Sequence, residues 1–70
     1  MSNVWFVWYD DPGFNPEIKY ICSSYEKARE YCSIYLERFY FEERDDGMSF
    51  YFYIGSSPRL ELRIEEMEVQ

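Results

Sequence analysis

The chain has 70 residues with 14 acidic and 7 basic side chains, a formal net charge of −7 at pH 7, no histidine, and an aromatic set of 8 Tyr, 6 Phe and 2 Trp. A chain this short is one domain, residues 1–70, burying only about 60–65% of the surface its unfolded form exposes. Its 47% hydrophobic content excludes a disordered acidic tail. Lack of histidine removes Ser-His and Cys-His pairs and the commonest general base near neutral pH, so no enzyme is expected.

Val4-Trp5-Phe6-Val7-Trp8-Tyr9 is β-branched and aromatic throughout, which predicts a strand with both faces covered or one face kept for a partner. Asp10-Asp11-Pro12-Gly13 and Asn15-Pro16 break it, because Pro fixes φ and Gly permits positive φ. Glu17 to Cys22 then reads as a second strand, with Ile18, Tyr20 and Cys22 on one side and Lys19 and Ile21 on the other. Ser23 with Glu26 has the spacing of a capping box, so a helix is expected to start there. At 100° per residue, Tyr25, Ala28, Cys32, Tyr35, Leu36 and Phe39 fall within one arc of roughly 100°, the core stripe of a helix of about four turns. Tyr31 sits on a flank of that helix with Lys27 and Arg38, and Ile34 projects almost opposite the stripe. Both are candidate contact residues.

Tyr40 to Glu43 fits either a last helical turn or a short strand, and the strand is the reading taken. Arg44-Asp45-Asp46-Gly47 carries the Asp-Gly pair of a hairpin. Ser49 to Ile54 alternates Phe50, Phe52 and Ile54 against Tyr51 and Tyr53, and Gly55-Ser56-Ser57-Pro58 is the next turn. Leu60, Leu62 and Ile64 alternate with Glu61, Arg63 and Glu65. Met67 and Val69 fall in the opposite phase, which implies a bulge near Glu65-Glu66 or the end of pairing. The expected fold is α+β, an antiparallel sheet of four to five strands with one helix packed on one face, in the order β-β-α-(β)-β-β. One helix leaves the other face bare, and that face is expected to carry Trp5 or Trp8 with Tyr9, Tyr51 and Tyr53.

Cys22 and Cys32 fit neither a disulfide framework nor a four-ligand zinc site. They are expected as core thiols in a reducing compartment. No apolar run approaches the roughly 20 residues that span a bilayer, and Met1 to Tyr9 lacks the basic start and cleavage site of a leader. A cytoplasmic protein is expected, with no membrane partner. No cofactor or metal is implied: setting Gly47 at the glycine of a calcium loop puts Arg44 at a ligand position and Tyr53 where a bidentate Glu belongs. The paired carboxylates at Asp10-Asp11, Glu42-Glu43, Asp45-Asp46 and Glu65-Glu66 read as solvated turn and strand positions. Direct nucleic-acid binding is not expected, because the bases are scattered and outnumbered two to one, with no cationic frame for phosphates.

Two surfaces remain as candidates for binding a protein. Glu42, Glu43, Asp45 and Asp46 with Glu61, Glu65, Glu66 and Glu68 could imitate spaced phosphates and occupy the basic surface of a nucleic-acid-processing protein. Tyr51 and Tyr53, with Tyr31 and Ile34, could form an aromatic and apolar contact, including one between two copies of the chain. The strand-turn-strand followed by Ser23-Ser24-Tyr25-Glu26-Lys27-Ala28-Arg29-Glu30, and the acidic closing strand Glu65-Glu66-Met67-Glu68-Val69, resemble small acidic β-β-α-β proteins of bacteriophages. Several of those inhibit host machinery, including RNA polymerase, DNA-repair enzymes and CRISPR effectors, so the resemblance implies a phage-type inhibitor of a host protein. It carries no site residues over. The aromatic density and the extra strand from Phe50 to Ile54 depart from the usual pattern.

Overall fold

The structure is a computed structural model that describes residues 2–44 and 46–69. Strands β1 (Ser2–Asp10) and β2 (Glu17–Cys22) form a hairpin. Helix α1 (Tyr25–Leu36) follows, then β3 (Phe41–Glu43), β4 (Ser49–Phe52) and β5 (Leu60–Val69). All pairings are antiparallel in one five-stranded sheet of order β2-β1-β5-β4-β3, with α1 packed on one face, an α+β fold. β1 and β5 lie side by side near its middle, joined over nine residue pairs from Ser2↔Val69 to Asp10↔Glu61.

The helix stripe lands on the sheet as its spacing requires. Ala28, Cys32 and Leu36, one turn apart, are fully buried against Val7, Phe50, Phe52, Leu60, Leu62 and Ile64, and Tyr25, Tyr35 and Phe39 pack at the margins. Phe52 is the largest fully enclosed side chain, ringed by Tyr9, Tyr35 and Phe39 at centroid distances of 6.2, 5.9 and 5.5 Å.

Four local expectations need correction. The helix cap is Ser24, whose hydroxyl accepts from the Lys27 backbone amide at 3.2 Å. The third helical residue is therefore Lys27, and Ser23 with Glu26 makes no capping box. The helix has 12 residues, nearer three turns than four; Phe39 lies beyond it and donates its amide to the Leu36 carbonyl at 2.9 Å. The β1–β5 register runs without interruption through Glu65 and Glu66. The irregularity is in β2, where Val7 faces Tyr20 and Trp8 faces Ile18, so Lys19 is the extra residue and Ile18 changes sides. Finally, β4 ends at Phe52, leaving Tyr53 and Ile54 exposed in the connection to β5.

Candidate functional site

Register assigns every strand residue to a face, because directly paired residues point the same way. Val7, Phe50, Phe52, Leu62 and Ile64 face the helix, which puts Trp5, Tyr9, Tyr20, Cys22, Phe41 and Glu43 on that side too. The opposite face carries Val4, Phe6, Trp8 and Asp10 from β1, Ile18 and Ile21 from β2, and Glu61, Arg63, Glu65, Met67 and Val69 from β5. Tyr51 of β4 and Glu42 of β3 complete it. Of the aromatics expected on the bare face, Trp8 and Tyr51 are there, whereas Trp5 and Tyr9 are turned toward the helix.

Across three adjoining strands this face is apolar: Ile21 lies beside Phe6, Ile18 beside Trp8 and Val4 beside Met67. Ile21 remains 56% exposed and Ile18, Met67 and Val69 more than 40%, while no helix lies over them. Phe6 and Trp8 meet edge to face at 6.3 Å, the Trp8 indole donates to a Glu65 carboxylate oxygen at 3.1 Å, and the Arg63 guanidinium lies 5.9 Å from the Trp8 ring. These contacts hold Trp8 in one orientation. Toward β4, Tyr51 carries the guanidiniums of Arg59 at 4.2 Å and Arg44 at 5.2 Å from its ring centre. Trp, Tyr and Arg are the side chains that dominate the energetics of protein interfaces. The face holds four carboxylates (Asp10, Glu42, Glu61, Glu65) and three guanidiniums (Arg44, Arg59, Arg63), so it is almost neutral on a chain of net −7.

The acidic candidates do not share a face. Glu42, Glu61 and Glu65 are on the bare face, with Arg63 between the last two. Glu43 is on the helix side and paired with Arg29. Glu66, which accepts from the Asn3 amide, and Glu68 are also on that side, beyond the start of the helix, where Tyr25 meets Trp5 edge-on at 5.5 Å. Asp46 accepts from the Met48 backbone amide at 2.9 Å and so shapes the turn; Asp45 lies outside the described residues. Among the apolar candidates, Tyr31 stacks flat on Tyr20 at 4.6 Å and is half-buried, so it helps fasten the helix to β2. Ile34 is 60% exposed beside Tyr20 and Tyr31 in a shallow groove, and Tyr53 is exposed just beyond the end of β4.

Burial pushes the Cys32 thiol up to about 12 and raises Tyr31; burial, then the nearby Asp11 carboxylate, raises Tyr9. Hydrogen bonds with Tyr25 and then Glu43 raise Arg29. Each of these displacements moves the pKa further from neutral pH, the opposite of the tuning by which an acid-base catalyst is poised. No group of three or more His, Cys, Asp or Glu side chains among the described residues is arranged to hold a metal ion, and no helix is long and apolar enough to cross a membrane.

The site residues missed by sequence reading are Val4, Phe6, Ile18, Ile21, Met67 and Val69, with Arg44, Arg59 and Arg63. Their signal was the apolar alternate set in Val4 to Trp8 and the shifted phase of Met67 and Val69. No family model matches the chain, and no curated protein or solved structure matches it.

Proposed function

We propose that this chain is a non-enzymatic protein-binding module that pairs with a second copy of itself through the helix-free face of its sheet. One observation carries this reading: Val4, Phe6, Trp8, Ile18, Ile21, Met67 and Val69 form a contiguous apolar surface across which no other described element packs, with Ile18, Ile21, Met67 and Val69 exposed and Val4, Phe6 and Trp8 partly so. Contiguous patches of this kind mark interaction sites more often than they mark idle surface. Charge favours a copy as the occupant. Two molecules of net −7 repel, but they can meet on a nearly neutral face, and the run Glu61-Arg63-Glu65 can set each arginine against the other copy's glutamates. Strands of 9, 6, 3, 4 and 10 residues, at about 3.4 Å per residue and about 4.8 Å between strands, give a face of roughly 520 Å². A face-to-face pair therefore buries on the order of 500 Å² of projection per copy, just under the low end of specific interfaces and suited to a weak dimer.

Sedimentation across a concentration series tests this. The unmodified chain is expected to dimerise, and Phe6→Glu with Ile21→Glu to give a folded monomer by circular dichroism. High salt should preserve or strengthen the dimer, since apolar burial does not weaken with ionic strength. A chain that stays monomeric up to about millimolar concentration would remove the self-pairing role.

A second reading, in which the chain covers the basic surface of a nucleic-acid-processing protein as a phage-type inhibitor in the cytoplasm, draws support from the charge of −7 and from the four glutamates of β5. Its weakness is the division of those glutamates between two faces. Capture weakened by salt, and by reversing Glu42, Glu43, Asp45 and Asp46 to Lys, would favour it.

A further inference from the structure

The rims of the sheet differ in how they are guarded. β3 is only three residues long, and β2 carries the Lys19 bulge, two devices that discourage another strand from docking. β5 is different. β4 accompanies it only from Leu60 to Arg63, with one further bond in which the Ile64 amide donates to the Met48 carbonyl at 2.7 Å. From Glu65 to Val69, β5 is paired to β1 on one side and to no described strand on the other. Backbone groups alternate sides along a strand. Since Ile64 directs its amide toward β4, Glu66 and Glu68 direct theirs the same way, onto the open rim. The open stretch is about 16 Å long, the length of an ordinary strand.

We infer that the Glu65–Val69 rim of β5 is a docking edge for an extended segment of another protein in which basic and apolar residues alternate. The chemistry follows from the pleat. A residue placed opposite Glu66 or Glu68 shares its face, where the nearest side chains are carboxylates, and a Lys or Arg there forms a cross-strand pair. The intervening residues fall on the other face beside Met67 and Val69, and an aliphatic side chain there widens the apolar strip. The same glutamates reject a second copy of this chain: two β5 rims pairing antiparallel about Met67 set Glu66 opposite Glu68 twice, and like charges placed directly across a ladder are unfavourable. The edge is thus closed to self-addition and open to a cationic strand, with main-chain bonds supplying affinity and alternate side chains supplying selectivity. The main-chain edge is distinct from the self-pairing face, which it borders at Met67 and Val69.

The probe is a short peptide alternating Lys and Val, titrated into the unmodified chain and followed by amide shifts and hydrogen exchange. Binding is expected to slow exchange at Glu66 and Glu68, and to weaken at least tenfold when salt is raised from about 0.05 to about 0.5 M. The same peptide N-methylated at alternate amides keeps its charge but cannot complete the ladder, and it should bind at least tenfold more weakly. Glu66→Gln with Glu68→Gln should reproduce the loss. Equal affinity for the N-methylated peptide, protection at residues other than Glu66 and Glu68, or no binding at about millimolar peptide would each overturn the edge as a docking site. Should the double variant fail to fold, the N-methylated peptide still decides. Sedimentation without peptide reads the dimer and amide protection reads the edge, so either can fail alone.

Discussion

Phe41 and Phe52 are direct register partners across the β3–β4 pair, chemically identical and on the same face, yet Phe52 is fully buried and Phe41 is 43% exposed. Replacing each by alanine separates burial from every other variable. At Phe52 the ring leaves a cavity lined by Tyr9, Tyr35 and Phe39. The lost transfer energy and the unfilled space together cost about 3–5 kcal/mol. At Phe41 close to half the ring is already in water, its one described aromatic contact is Phe50 at 6.4 Å, and the rim can relax. A cost of about 1–2 kcal/mol is expected there. A 70-residue domain has a total stability of roughly 4–10 kcal/mol, so Phe52→Ala removes from about a third to all of that margin while Phe41→Ala, costing about 1–2 kcal/mol, remains folded. Urea titration followed by tryptophan fluorescence reads both values, since Trp5 and Trp8 lie on the two faces of β1. Equal midpoints for the two variants would refute the placement of β3 as a rim strand and of Phe52 at the centre of the core.

Ser24→Ala should cost about 1 kcal/mol through loss of the cap to Lys27, whereas Ser23→Ala should change stability by less than about 0.5 kcal/mol; thermal melts of the pair decide which serine caps the helix. Cys32 keeps its proton in the fold to about pH 12, against an ordinary value of 9.0, so the folded state holds more protons than the unfolded state between those values. Stability should therefore be intact below pH 9 and fall as pH rises toward 12, the raised Tyr9 and Tyr31 adding to the slope; Cys32→Ala should flatten it in urea titrations at stepped pH. At pH 8 half-buried Cys22 should react with a thiol reagent well before buried Cys32, which peptide mass mapping would reveal. Arg29→Ala removes a half-exposed ion pair with Glu43 and a contact with the Phe50 ring at 5.7 Å, and a loss of about 0.5–1.5 kcal/mol that shrinks only in part at high salt is expected.

The helix stripe and the strand positions were legible because local periodicity fixes them: Ala28, Cys32 and Leu36 had to share a face whatever lay opposite. The choice between Ser23 and Ser24 was not, since β2 must first finish its ladder at Cys22, paired with Trp5, and Ser23 is used in the turn between strand and helix. Nor did any residue announce the bulge at Lys19; the alternation Ile18-Tyr20-Cys22 looks regular, and only the pairing with β1 shows that Ile18 has crossed over. The phase shift after Ile64 is visible in the sequence as either a bulge or the end of pairing; there is no bulge, and pairing does end there on the β4 side. The strand is continuous, and what changes is the side on which apolar residues have company. Through Ile64 they face the helix, and from Met67 onward they face out beside Val4. Which face of β1 is bare depends on strand order, a long-range fact that periodicity along one strand does not contain.

Dimensions explain why the apolar strip is there at all. A 12-residue helix is about 18 Å long and about 10 Å across, whereas the β1–β5 ladder runs about 30 Å beneath a sheet five strands wide. One such helix covers the middle of one face and nothing of the other. A sheet facing water would ordinarily answer with polar residues at its outward positions, and β5 does so at Glu61, Arg63 and Glu65. β1 and β2 instead place Val4, Phe6, Trp8, Ile18 and Ile21 there. Of these, Val4, Phe6 and Trp8 are already partly covered by their neighbours, while Ile18 and Ile21 stay 42% and 56% exposed and each forgoes part of the roughly 1.5–3 kcal/mol that full burial is worth, against a margin of only roughly 4–10 kcal/mol. On the proposed self-pairing, a second copy would recover part of that burial, and a near-neutral face on a strongly acidic chain lets it approach without meeting the full repulsion of −7 against −7.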